Sequence, residues 1–140
     1  MINFELNRGT SKIKIEKVLK KLGAVISSGF KEGGTISVAF VSGAKIREYN
    51  KKYRRKDTAT DILTFVLNEK DCLGEIILSP ADVKKRAKKS KKSVAETAVR
   101  LIIHGVCHIS GLTHKGAEDT KKMEAEEEKI MKKLCPVVKL

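Results

Sequence analysis

The segment from Ser93 to Ile109 constrains the fold more than any other part of this chain. On a helix over these residues, Val94, Ala95, Ala98, Val99, Leu101, Ile102, Ile103, Val106 and Ile109 cover nearly every side. A helix that is apolar all round has no face to turn to water, so it belongs in the middle of a core. The chain has 140 residues, a length that suits one domain with one such core.

The remaining elements can be placed around it. Ile2 to Leu6 reads as a short first strand. From Ser11 onward, Ile15, Val18, Leu19, Leu22, Val25 and Ile26 form one apolar stripe on a helix, with Ser11 as its expected cap. Gly29, Gly33 and Gly34 interrupt that pattern, and Ile36, Val38 and Phe40 then alternate as a strand. Ala44 to Arg54 is a polar helix. Ile62 to Leu67 and Leu73 to Leu78 are dense in Ile, Leu, Val and Phe, and Asn68 to Asp71 turns between them, which predicts a hairpin. Ser79-Pro80 starts a helix, because proline at the first helical position gives up no needed N–H. Glu118 to Leu134 is a last amphipathic helix with Met123, Ile130 and Leu134 on its apolar side. No repeat, low-complexity linker or boundary divides residues 1–140, which read as a single domain. The expected fold is α+β: a four-stranded mixed sheet packed with about five helices, one of them central and buried.

All three histidines of the chain lie in one short stretch, His104-Gly-Val-Cys-His108-Ile-Ser-Gly111-Leu-Thr-His114. His104 and His108 are four apart and share a helix face. Gly111 can adopt a left-handed conformation that ends the helix, and the chain can then bring His114 back to the same point. Three imidazoles with an open fourth position are the usual ligand set of a catalytic zinc, so one zinc ion per chain is expected. The bland alternative, two core histidines and one at the surface, leaves unpaired polar groups on the most apolar helix, which is costly. Cys107 is a rival ligand, but it projects about 100° around the axis from His108, as a packed core residue would. The spacing also follows the H-E-x-x-H-x-x-G-x-x-H pattern of zincin peptidases, except that Gly105 stands where those enzymes carry their general base. A cleft without a strand edge for an extended peptide is expected as well.

Thirty Lys and Arg against seventeen Asp and Glu give a net charge of +13, an excess that attracts polyanions such as RNA. Aromatic residues make up only 4% and tryptophan is absent, so contacts to phosphates are expected rather than base stacking. The basic run Lys84, Lys85, Arg86, Lys88, Lys89 is either an RNA-facing surface or a solvated face. No apolar run is long enough for a membrane helix, and no signal-peptide block opens the chain. Cys72, Cys107 and Cys135 do not form a disulfide framework, which predicts a reduced, cytoplasmic protein.

With these residues in view, the chain resembles the YbeY family of single-domain endoribonucleases. The family's motif reads approximately H-G-x-x-H-L-x-G-Y-D-H, matched by His104, Gly105, His108, Gly111 and His114. An upstream segment close to N-x-x-Y-R-x-x-D-x-x-T-D-V-L-S-F is matched by Asn50, Tyr53, Arg54, Asp57, Thr60, Asp61, Leu63 and Phe65. Leu73-Gly74-Glu75-Ile76 looks like the family's L-G-D-I, and Met123 and Glu127 fall where its last helix carries the same residues. Leu112-Thr113 departs from the usual Tyr-Asp, and Val66 replaces a proline.

The resemblance implies a zinc-dependent, single-strand-specific endoribonuclease acting in maturation of the 3′ end of small-subunit (16S) rRNA and in ribosome quality control. It implies rRNA and the small ribosomal subunit as partners, no membrane, and a monomer. It assigns Arg54 to catalysis, and the chemistry agrees, since a guanidinium can pair two phosphate oxygens. Asp61 is expected to buttress a turn. Two other readings follow from the histidines: a zinc metallopeptidase-like hydrolase, and a non-catalytic ribosome-associated zinc protein whose site is closed by Cys107 or Cys135.

Overall fold

The structure, a computed structural model, describes residues 1–9, 11–31, 33–54, 62–69, 71–113 and 115–134, with Arg54 described in its backbone only. Strand β1 (Ile2–Asn7) leads into helix α1 (Glu16–Ile26), a short 3-10 turn (Ser27–Gly29), strand β2 (Gly34–Phe40) and helix α2 (Gly43–Arg54). Strands β3 (Ile62–Val66) and β4 (Gly74–Leu78) follow, then helices α3 (Pro80–Ser90), α4 (Val94–Ile109) and α5 (Ala117–Leu134). The sheet runs in the order β1-β2-β4-β3. β1, β2 and β4 are parallel, and β3 returns antiparallel to β4 as the expected hairpin. Parallel neighbours need crossover connections, which α1 and α2 with the hairpin provide. The α+β fold with a four-stranded mixed sheet and five helices is therefore the one expected.

Alternation along the strands sorts the core into two parts. Ile36, Val38, Phe40, Ile76 and Leu78 point into the main core, shared with α1, α4 and α5. Leu63 and Ile77 point to the opposite face, where Ile46 of α2 joins them in a smaller cluster. Within α4, Ala98, Val99, Ile102 and Ile103 are fully inaccessible, and each large side chain so buried contributes about 1.5–3 kcal/mol. Among the described residues, no helix is long and apolar enough to cross a membrane.

Two expectations fail. Helix α1 begins at Glu16 and its cap position is Ile15, without a side-chain cap; Ser11 instead accepts a hydrogen bond from the Ile13 N–H at 3.2 Å. Ile13 and Ile15 are buried ahead of the helix, and the stripe read from Ser11 is helical only from Glu16. Nor is α4 apolar on every side. Glu96, Arg100, His104 and His108 are only partly buried, and their spacing of four draws one polar stripe along the helix.

Candidate metal centre

At Arg100 and His104 that stripe meets carboxylates of α5. Arg100 Nη1 donates to Glu128 Oε1 at 3.1 Å. Its Nε lies 3.5 Å from Glu96 Oε2, within ion-pair reach but not hydrogen-bonding geometry. One turn further on, His104 Nδ1 and Glu127 Oε1 are 2.6 Å apart. His104 is 35% exposed and Glu127 25%, so this pair sits at the rim of the core, not inside it. A short imidazole–carboxylate bond of this kind holds the proton on Nδ1 and leaves the ring's lone pair on Nε2.

His104 Nε2 faces His108 Nε2 at 3.2 Å. The two rings meet edge to face, 84° apart with centroids 4.8 Å apart, so they converge on one point and do not stack. Two imidazole nitrogens bound to one tetrahedral zinc at 2.0–2.1 Å lie about 3.3 Å from each other. The observed separation suits either one shared proton or one cation between the lone pairs, and the donors present fit the metal.

The helix end that leads to the third histidine has the expected form. Gly111 adopts φ +107°. Its N–H bonds to His108 O, and the Leu112 N–H to Cys107 O, both at 3.0 Å, which is the paired closure of a Schellman motif. Leu112 packs against the main core, and Thr113 Oγ1 donates to Asp119 Oδ2 at 2.9 Å. The two departures from the family motif thus both anchor the chain ahead of α5. His114 itself lies outside the described residues, as do Asp57, Asp61 and Cys135. Among the described residues, no group of three metal-binding side chains is found.

Gly105 is required by close packing. A Cβ there would lie 2.9 Å from both Ile76 Cδ1 and Thr64 Oγ1, so α4 approaches β3 and β4 with no room for a side chain. The other face of β3 receives α2: the Tyr53 ring packs edge-on against Phe65 at 5.6 Å. Arg54, the last residue of α2, follows directly. One strand therefore joins the two motifs, Thr64 touching the histidine helix and Phe65 the arginine helix. The arginine side chain itself lies outside what is described.

Cys107 packs into the core, 1% exposed. Burial, and secondarily the carboxylates of Glu127 and Glu126, push its thiol up to about 12. Glu127 was visible in the sequence only as a family position; its bond to His104 could not be inferred from spacing, because 23 residues separate the two.

A partly buried histidine pair on the central helix of a small α+β domain, one ring backed by a carboxylate from the last helix, defines the candidate centre. The chain belongs to the YbeY family: the family described as Endoribonuclease YbeY matches residues 2–135. It is 33% identical over 128 residues to an endoribonuclease YbeY of Aquifex aeolicus, covering 88% of this chain and 85% of that protein. A Thermodesulfovibrio yellowstonii protein of the same name is 38% identical over 107 residues, covering 72% and 67%. The solution structure of TM1509 from Thermotoga maritima superposes with a TM-score of 0.71 at 28% identity, covering 97% of this chain and 90% of that one.

Proposed function

We propose that this chain is a zinc-dependent endoribonuclease that cleaves single-stranded RNA and acts in maturation of the 3′ end of 16S rRNA and in ribosome quality control. The observation that carries the metal is the 3.2 Å convergence of His104 and His108, with Glu127 fixing the tautomer of His104. Membership of a family whose members are named endoribonucleases supports the reaction class.

His104 and His108 present two lone pairs, and His114 is proposed as the third ligand. Bound there, zinc would supply a nucleophile available near neutral pH and a Lewis acid for a phosphoryl oxygen. A general base at position 105 is then dispensable, consistent with the tight packing of Gly105. Arg54 is proposed to pair two oxygens of the scissile phosphate and to offset the charge that grows there in the transition state. The surplus of lysine and arginine holds the flanking RNA.

The peptidase reading has one observation in its favour. Among the described residues β3 pairs only with β4, which leaves it at the edge of the sheet. It still lacks the base, since Glu127 is engaged with His104 and Gly105 has no carboxylate. A closed structural site through Cys107 is disfavoured by the burial of that thiol.

The test is cleavage of a single-stranded RNA by zinc-loaded protein, with and without chelator, beside His108→Ala. Cleavage should disappear in both cases. Chelator-resistant cleavage, or none by the zinc-loaded wild type, would overturn the proposal.

A further inference from the structure

A cleft of about 680 Å³ opens beside His104 and Glu127 and runs between α3 and the start of α4. Four cations line it: Arg86, Lys89, Lys92 and Arg100. The basic run of α3 is therefore not one uniform surface. At 100° per residue, Arg86 and Lys89 fall on the cleft side of α3, whereas Lys84 and Lys88, one turn apart, project roughly opposite and do not line the cleft. Val83 and Ala87 are buried, which fixes the rotation of the helix.

Lys92 lies 3.4 Å from Glu96, and Arg100 is shared between Glu96 and Glu128. Carboxylates of α4 and α5 thus partly neutralise these two cations. Lys89 and Arg86 lie on the wall contributed by α3, facing the wall of α4 that carries His104.

We propose that this cleft holds the phosphates of single-stranded RNA on one side of the bond to be cleaved, with Arg86 and Lys89 as its contacts on the α3 wall. The inference rests on the endoribonuclease reading for its ligand but assigns the path of the strand, which that reading leaves open. His104 is part of the lining, so a strand lying in the cleft would bring its backbone alongside that imidazole.

The experiment compares two charge-matched double variants on the same helix, Arg86→Gln/Lys89→Gln and Lys84→Gln/Lys88→Gln. Binding of a fluorescein-labelled single-stranded 12-mer RNA is measured across salt concentrations in the presence of chelator, and zinc-dependent cleavage is measured separately. Each phosphate contact to a single strand contributes about 0.7 to the slope of log K against log salt. The cleft variant should lose about 1.4 of slope and, taking 1 M salt as the reference, about 25-fold in affinity at 0.1 M. The opposite-face variant should stay close to wild type. Equal losses in both would show that only bulk charge matters and would overturn the cleft. If Arg86→Gln lowers the melting temperature, Lys89→Gln alone should still lose about 0.7 of slope, or roughly fivefold, and no loss would again overturn it. Wild type that binds through the cleft but does not cleave would sink the endoribonuclease reading and leave the cleft standing. Wild type that cleaves, with both variants equal, would do the reverse.

Discussion

Replacing Glu127 probes the centre through a residue that is not itself a proposed ligand. Its carboxylate lies 2.6 Å from His104 Nδ1 and is the partner that places the lone pair on Nε2. Loss of such a partner typically costs 10- to 100-fold in metal affinity, or about 1.4 to 2.8 kcal/mol. The two substitutions should split this range. Glu127→Gln keeps an oxygen that accepts the Nδ1 proton but removes the charge, so it belongs near tenfold. Glu127→Ala removes both and frees the ring to rotate, so it belongs near 100-fold. The assay is zinc competition against a chromophoric chelator, with far-ultraviolet circular dichroism confirming the fold. RNA cleavage should largely recover at saturating zinc, because the ligands remain. If Glu127→Ala binds zinc as tightly as wild type, the contact is an ordinary helix–helix ion pair at the surface, worth little, and the tautomer argument fails.

Arg54→Ala should keep the zinc and reduce single-turnover cleavage 100-fold or more while weakening RNA binding far less; equal losses would make it one more phosphate contact. Gly105→Ala should destabilise by about 1–3 kcal/mol, read as a urea midpoint, because its Cβ meets Ile76 and Thr64 at 2.9 Å. Gly105→Glu should fail to give a folded peptidase, and rapid casein digestion by a folded, metal-loaded form would contradict this. Ser93→Ala removes the cap that accepts from the Glu96 N–H at 3.0 Å; the loss of about 1 kcal/mol should lower the melting temperature by roughly 3 °C without changing cleavage at saturating zinc.

Much of the fold could be read from residues because the relevant signals are local. The β3–β4 hairpin, the Ser79-Pro80 start of α3 and the Gly111 stop of α4 each depend on neighbours within a few positions. What could not be read is non-local. The order β1-β2-β4-β3 depends on which strand edges meet, and strands alike in composition do not encode it. The polar stripe of α4 is not evident in the sequence because alanines and valines fill the positions around it; the partners of Arg100 and His104, Glu128 and Glu127, come from α5. The early start expected for α1 fails because Ser11 accepts from the Ile13 N–H in a local turn and the helix begins at Glu16, with Ile13 and Ile15 buried ahead of it. At the site, the histidine pair was legible from spacing, whereas the Thr64–Gly105 contact and the Tyr53–Phe65 contact, which tie the two motifs to one strand, needed the sheet.

Zinc K-edge X-ray absorption on the reconstituted wild-type protein tests the metal centre most directly. The account predicts about one zinc per chain, three imidazole nitrogens and one further light atom at about 2.0–2.1 Å, and no sulfur. Scattering from sulfur at about 2.3 Å would identify a cysteine ligand and a closed structural site, and would contradict it.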